Sequence, residues 1–140
     1  MSQESLENFR AYGLAMELFD LVAEDMEALT GRFHLTRLIS QQLASADSIS
    51  ANIEEGHGRQ STREYIHYLV IARGSARETR GRYRRMSRWL SSSTVEDRCK
   101  LLDQIIGILS RTISTLRRNQ GSAVREEPEL YVGDDCRQPI

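Results

Sequence analysis

Four long stretches of this 140-residue chain repeat apolar side chains every three or four positions, and glycine or serine interrupts the pattern between them. That spacing follows the 3.6-residue helical turn rather than the two-residue alternation of a strand. The first stripe, over about Leu6 to Leu29, is Phe9, Tyr12, Met16, Phe19, Val22, Met26 and Leu29, with Gly31 as its stop. The second, about His34 to Glu55, carries Leu35, Leu38, Ile39, Leu43, Ala46, Ile49 and Ile53. Gly56 and Gly58 follow it, and they predict a left-handed helix stop together with a close approach of helices.

The third stripe predicts a helix over 62–90 through Tyr65, Leu69, Ala72, Ala76, Thr79, Tyr83, Met86 and Leu90. Ser61 with Glu64 three positions on predicts a capping box at its start, and Thr94 with Asp97 predicts another for the fourth helix. That last helix, over 95–118, uses Leu101, Leu102, Ile105, Leu109, Ile113 and Leu116. Arg117 and Arg118 suit its carboxyl end, where the backbone dipole favours cations.

Short turns between long amphipathic helices imply an all-α, up-down-up-down four-helix bundle. The bundle domain is expected over 1–119, and an acidic C-terminal tail over 120–140. Leu130, Tyr131 and Val132 in that tail are a segment that docking would use. No stretch approaches the roughly 20 apolar residues needed to span a bilayer, so no membrane partner is expected. The opening MSQESLENFR lacks the features of a secretory signal. Cys99 and Cys136 form no ligand spacing, so a cytoplasmic protein without a structural disulfide is the expectation.

Formal charge is only −1, but it is unevenly placed. Residues 1–31 carry seven acids against Arg10, a net of −6, whereas 59–88 carry nine arginines against Glu64 and Glu78, a net of +7. At about 100° per residue, Arg73, Arg77, Arg80, Arg84 and Arg88 share one narrow face of the third helix. Glu17, Asp20, Glu24 and Glu27 share a face of the first. Pairing of these stripes, within the bundle or between subunits, is the leading expectation. The alternative is a phosphate track for RNA or DNA, to which Arg59 would add.

Chemistry is harder to find. Gly56-His57-Gly58 lacks the preceding strand and the fuller glycine pattern of a dinucleotide loop, and no P-loop occurs. No HExxH is present, and Glu54 and Glu55 point about 100° apart on a helix. No catalytic residue, cofactor or metal site is therefore assigned, and an enzyme is not expected. Asn52 stands out as a poor helix former one turn before Gly56, suited to bonding exposed carbonyls or the incoming turn. Arg59 reaches Glu55 only if helical geometry persists through the glycines; otherwise it suits a bridge to a neighbouring helix or subunit.

The segment QLASADSISANIEEGHGRQSTREYIHYLVIARGSARET resembles the central signature of the four helix bundle family also called 23S rRNA-intervening sequence proteins. Gln42, Leu43, Ile49, Asn52, Ile53, Glu55, Gly56, Gly58, Arg59, Ser61, Glu64, Tyr65, Leu69, Ala72, Arg73, Gly74, Ser75 and Glu78 carry the match, and NFRAYGLAMEL resembles the opening helix. The resemblance implies a small cytoplasmic bacterial bundle that assembles into a ring, commonly a homopentamer, and it implies no known catalytic activity. Asn52, Glu55, Gly56, Gly58, Arg59, Ser61 and Glu64 are then the expected turn or assembly residues. Two departures stand out. Ala44 and Ser45 replace a basic pair after Gln42–Leu43, and Ser50 stands where the family commonly has proline.

Overall fold

A single apolar face on each helix can be buried only if the helices close on one another, and they do. The computed structural model describes residues 5–123. It contains α1 (Arg10–Glu27), α2 (Thr36–His57), α3 (Thr62–Arg85) and α4 (Ser92–Ala123), with 3-10 turns at Leu6–Asn8 and Phe33–Leu35. Contacts join α1 to α2, α2 to α3, α3 to α4 and α4 back to α1, so α1 and α3 lie on a diagonal. Hydrogen bonds fix the antiparallel sense: Gln42 meets Thr79 and Ser48 meets Ser75 across α2 and α3, while Arg73 meets Ser110 and Arg80 meets Asp103 across α3 and α4. This is an all-α four-helix bundle.

The core runs along the bundle axis through Leu18, Val22 and Met26 of α1, Ile49 and Ile53 of α2, Ile66, Leu69 and Tyr83 of α3, and Leu102, Ile105 and Leu109 of α4. Each such aliphatic side chain contributes about 1.5–3 kcal/mol on leaving water. Of the predicted first stripe, Phe9, Val22, Met26 and Leu29 are buried, but the middle of α1 is displaced from it. Ala11, Ala15 and Leu18 face the core, whereas Met16 is 45% exposed and Tyr12 and Phe19 are half-buried. Both series have helical spacing, displaced by one residue or about 100°. The alanines win the interior because small side chains let neighbouring helices close in.

Helix boundaries differ from expectation in ways the backbone explains. α3 stops at Arg85, and Met86 turns back with its N–H on Arg82 and Tyr83 carbonyls. Met86 remains buried, although it follows the helix. α4 begins at Ser92, because Ser91 Oγ accepts the Thr94 N–H at 3.1 Å; Ser91, not Thr94, is the capping residue. Ser61 caps α3 as predicted, accepting the Glu64 N–H at 3.1 Å. α4 extends beyond 118 to Ala123. The rest of the tail, including Leu130, Tyr131, Val132 and Cys136, lies outside the described residues.

The glycines divide the roles assigned to them. The left-handed stop is at Gly31, whose φ is 100°, and not at Gly56 or Gly58. Gly58 has a φ of −85°, in the ordinary right-handed region. Gly56 lies within α2 and serves close approach: a Cβ there would sit 2.8 Å from Tyr68 Cβ and 3.1 Å from Tyr65 Cδ1. No other residue fits without pushing α2 and α3 apart.

Candidate functional site

Polar side chains inside this bundle fall into two assemblies. The first joins three helices. Tyr83 Oη donates to Asp25 Oδ2 at 2.6 Å, and Arg98 grips the same carboxylate with Nε at 2.8 Å and Nη2 at 3.0 Å. Asp25 and Tyr83 are buried. Burial, with the hydrogen bond to Asp25, raises the Tyr83 phenol far above the usual tyrosine range. The hydrogen bond to Asp25 raises Arg98 despite its partial desolvation. Charge is matched by charge, and both carboxylate oxygens are used.

The second assembly is a seam along α2 and α3. Gln42 Nε2 donates to the Thr79 carbonyl at 3.0 Å, and its Oε1 accepts from Arg82 Nη1 at 2.9 Å. Thr79 Oγ1 donates to the Ser75 carbonyl at 2.9 Å, leaving Ser45 Oγ–H to bond Thr79 Oγ1 at 2.8 Å. Ser75 Oγ donates to Ser48 Oγ at 2.8 Å, and Asn52 Nδ2 donates to both the Ser48 carbonyl and hydroxyl, each at 2.8 Å. Asn52 therefore bonds one turn backward, not the following turn.

At the far end of the seam Arg82 has neutral acceptors alone. Nη1 serves Gln42 Oε1, Ser45 Oγ at 3.0 Å and, more weakly, the Gln41 carbonyl at 3.4 Å. Its Nε is buried without a partner. Burial lowers the Arg82 pKa from the ordinary arginine value; Glu78 opposes the shift and Arg85 adds to it. The side chain remains a cation at neutral pH.

The predicted arginine face is split. Arg80 pairs with Asp103 of α4 at 2.6 Å, and Arg73 bonds Ser110 at 3.3 Å. Arg77, Arg84 and Arg88 have no ion-pair partner among the described residues, and Arg84 and Arg88 are exposed. Glu17, Asp20, Glu24 and Glu27 are also exposed on α1. Because α1 and α3 are diagonal, these two faces do not pair within one bundle. Arg59 does reach Glu55, since helical geometry persists to His57, and it also donates to Tyr68 Oη at 3.1 Å and lies over that ring.

His57 is half-buried with its ring edge-on to Tyr65 at 5.7 Å, and its Nδ1 is buried without a hydrogen bond. The Glu-x-x-His spacing used by dinuclear bundle sites occurs twice, at Glu54–His57 and Glu64–His67. The geometry does not assemble it. Among the described residues no three His, Cys, Asp or Glu side chains converge as metal ligands, and Glu54 instead accepts from Tyr12 Oη at 2.7 Å. Sequence reasoning missed Arg82, Ser45 and Ser48. The signal available was their spacing, which sets them on the α2 and α3 flanks beside Gln42 and Thr79. No helix among the described residues is long and apolar enough to cross a membrane.

Residues 7–111 match the family described as 23S rRNA-intervening sequence protein, and the chain belongs to it. No curated protein matches the sequence.

Proposed function

We propose that this member of the 23S rRNA-intervening sequence protein family is a non-catalytic scaffold that works as a cyclic homo-oligomer, a homopentamer as the resemblance implies, in the cytoplasm. The observation that carries the reading is the unmatched pair of charged faces. Exposed acids line α1, and Arg77, Arg84 and Arg88 line the diagonal helix α3 and the turn after it. Diagonal helices present their outer faces to opposite sides of a protomer. The acid face of one copy then meets the arginine face of the next, a head-to-tail contact that generates rings when its rotation closes. Gln42, Gly56 and Arg59 hold α2 against α3, and Asn52 fixes the Ser48 hydroxyl that Ser75 reaches, so their role in assembly is to keep the α3 face rigid.

Native mass spectrometry tests this. The expected result is one closed stoichiometry for the wild type, loss of that species in the Arg77→Glu, Arg84→Glu double variant, and its partial return when Asp20→Arg and Glu24→Arg are added. A monomeric wild type at micromolar concentration would overturn the scaffold. The RNA or DNA track is weakened because Arg59, Arg73 and Arg80 are engaged within the chain. Were the three remaining arginines to bind phosphates, affinity would fall with salt at a log–log slope of roughly −3. Nucleic-acid binding with a much steeper slope, carried by a monomer, would favour that alternative.

A further inference from the structure

We propose that the groove between α2 and α3 is an oxyanion site that takes a phosphate group on the Arg82 guanidinium, with Ser48 Oγ–H as a second donor. The groove is lined by Ser45, Ser48, Ser75, Glu78 and Arg82 and has an open volume of about 310 Å³. That space is open to solvent and large enough to admit a phosphate group.

Hydrogen-bond bookkeeping identifies the donors. Arg82 spends Nη1 on three neutral oxygens, and its Nη2 and Nε make no hydrogen bond among the described residues. Ser45 Oγ–H is committed to Thr79, and Ser75 Oγ–H to Ser48. Ser48 Oγ accepts twice, from Asn52 and Ser75, so its own proton is left for a groove ligand. A hydroxyl that already accepts two bonds is aligned as a donor before any ligand arrives. That alignment has a sequence origin: Asn52, one turn on from Ser48 in α2, holds the oxygen in place.

Electrostatics gives the sign of the ligand. Arg82 is partly desolvated, has no carboxylate in hydrogen-bond contact, and is repelled by Arg85, with Glu78 the one acid acting on it. A cation whose hydrogen-bonded partners are all neutral favours an anion at its free Nη2, and guanidinium groups suit phosphate oxygens. The contrast with Arg98, whose two nitrogens already hold Asp25, is direct. This site is independent of the charged faces proposed for assembly.

Inorganic phosphate titrated into the assembled protein, read by the Arg82 Nε–H resonance and by calorimetry, tests the site. Saturable binding with a shifted Nε–H is expected. Arg82→Gln should weaken it at least about tenfold, the scale of one charge-assisted hydrogen bond. Glu78→Gln should tighten it roughly 2- to 5-fold by removing a nearby negative charge, a gain that misfolding does not imitate. Competition by a 5′-phosphorylated oligonucleotide, absent for its unphosphorylated form, would name a nucleic-acid end as the source. Lack of such competition would leave free phosphate or a small phosphoester as the source. An unmoved Nε–H at millimolar phosphate, or equal affinity in wild type, Arg82→Gln and Glu78→Gln, overturns the proposal. So does an oligonucleotide that binds equally with and without its terminal phosphate while inorganic phosphate stays inert.

Discussion

The Asp25–Tyr83–Arg98 cluster and the α2–α3 seam are both polar and both built on α3, yet they follow opposite principles. In the cluster, a carboxylate and a guanidinium cancel, and Tyr83 donates to the oxygen shared with Arg98 Nε. In the seam, amide and hydroxyl groups bond one another, and the cation at its end has no anion in contact. A closed ionic cluster tying α1, α3 and α4 has few donors left for a ligand, so it locks helix register. A neutral seam ending in an under-compensated arginine keeps donors in reserve. Location inside a bundle does not separate structural from binding chemistry; completeness of the hydrogen-bond and charge ledger does.

The largest expected effect lies in the cluster. Asp25→Ala leaves Arg98 without its partner and the Tyr83 hydroxyl unsatisfied, and a cost of about 3–5 kcal/mol is expected by urea denaturation. A smaller loss than that of any seam variant would break the distinction drawn above.

Tyr83→Phe comes next, at about 1–3 kcal/mol near neutral pH, because it removes a buried donor to a charged acceptor. It should also change the pH dependence. The folded-state pKa of Tyr83 is raised, so its neutral form is favoured in the fold. That stabilisation is complete below the unfolded value near 10 and is lost as pH rises toward the higher folded value. Between about pH 10 and 11.5 the wild type should therefore lose stability more steeply than Tyr83→Phe. Parallel slopes would show that the phenol ionises as freely in the fold as outside it.

Thr79→Val should have the smallest effect, about 0.5–1.5 kcal/mol. It keeps the shape of the side chain and removes the acceptor of Ser45. The displaced Ser45 proton retains a weak alternative in the Gln42 carbonyl at 3.4 Å, which is why the loss stays small. A cost as great as for Asp25→Ala would show that the seam is locked as tightly as the cluster.

Much of the fold was legible because it depends on local periodicity. The four helices follow from apolar spacing, and the Ser61 cap follows from a serine placed just before a helical run. Other features depend on competition between equally good local patterns. Ser91 and Thr94 are both competent caps, and α4 starts at the one whose oxygen meets a free N–H. Ala11, Ala15 and Leu18 defeat the larger Tyr12, Met16 and Phe19 because neighbouring helices approach on the alanine side. Gly56 and Gly74 look alike as helix interruptions. Gly56 abuts Tyr68, whereas nothing lies within 4 Å of a Cβ built at Gly74.

The candidate site was less legible still. Gln42, Ser45 and Thr79 are polar residues on buried flanks, and a pattern of apolar positions treats such residues as noise or as outward-facing. Asn52 was conspicuous for its poor propensity, yet a helical asparagine can bond one turn back or the turn that follows, and only the folded helix shows that it takes Ser48. The arginines show the same limit from the charged side. Five on one face of the predicted third helix could be counted in advance, but Arg80 meeting Asp103 required α4 to be the neighbour.

Sequence alone determined the helices, their order and the family, because these rest on spacing along the chain and on residues met in sequence. Tertiary structure decided which acids face which bases, which glycine is irreplaceable, and that Arg82 rather than the predicted stripe ends an under-compensated groove. Those outcomes depend on which helices are adjacent and which are diagonal. Charge and hydrogen bonding act through a few ångströms of space, and residues that are tens of positions apart in the chain become partners only when packing brings their helices side by side.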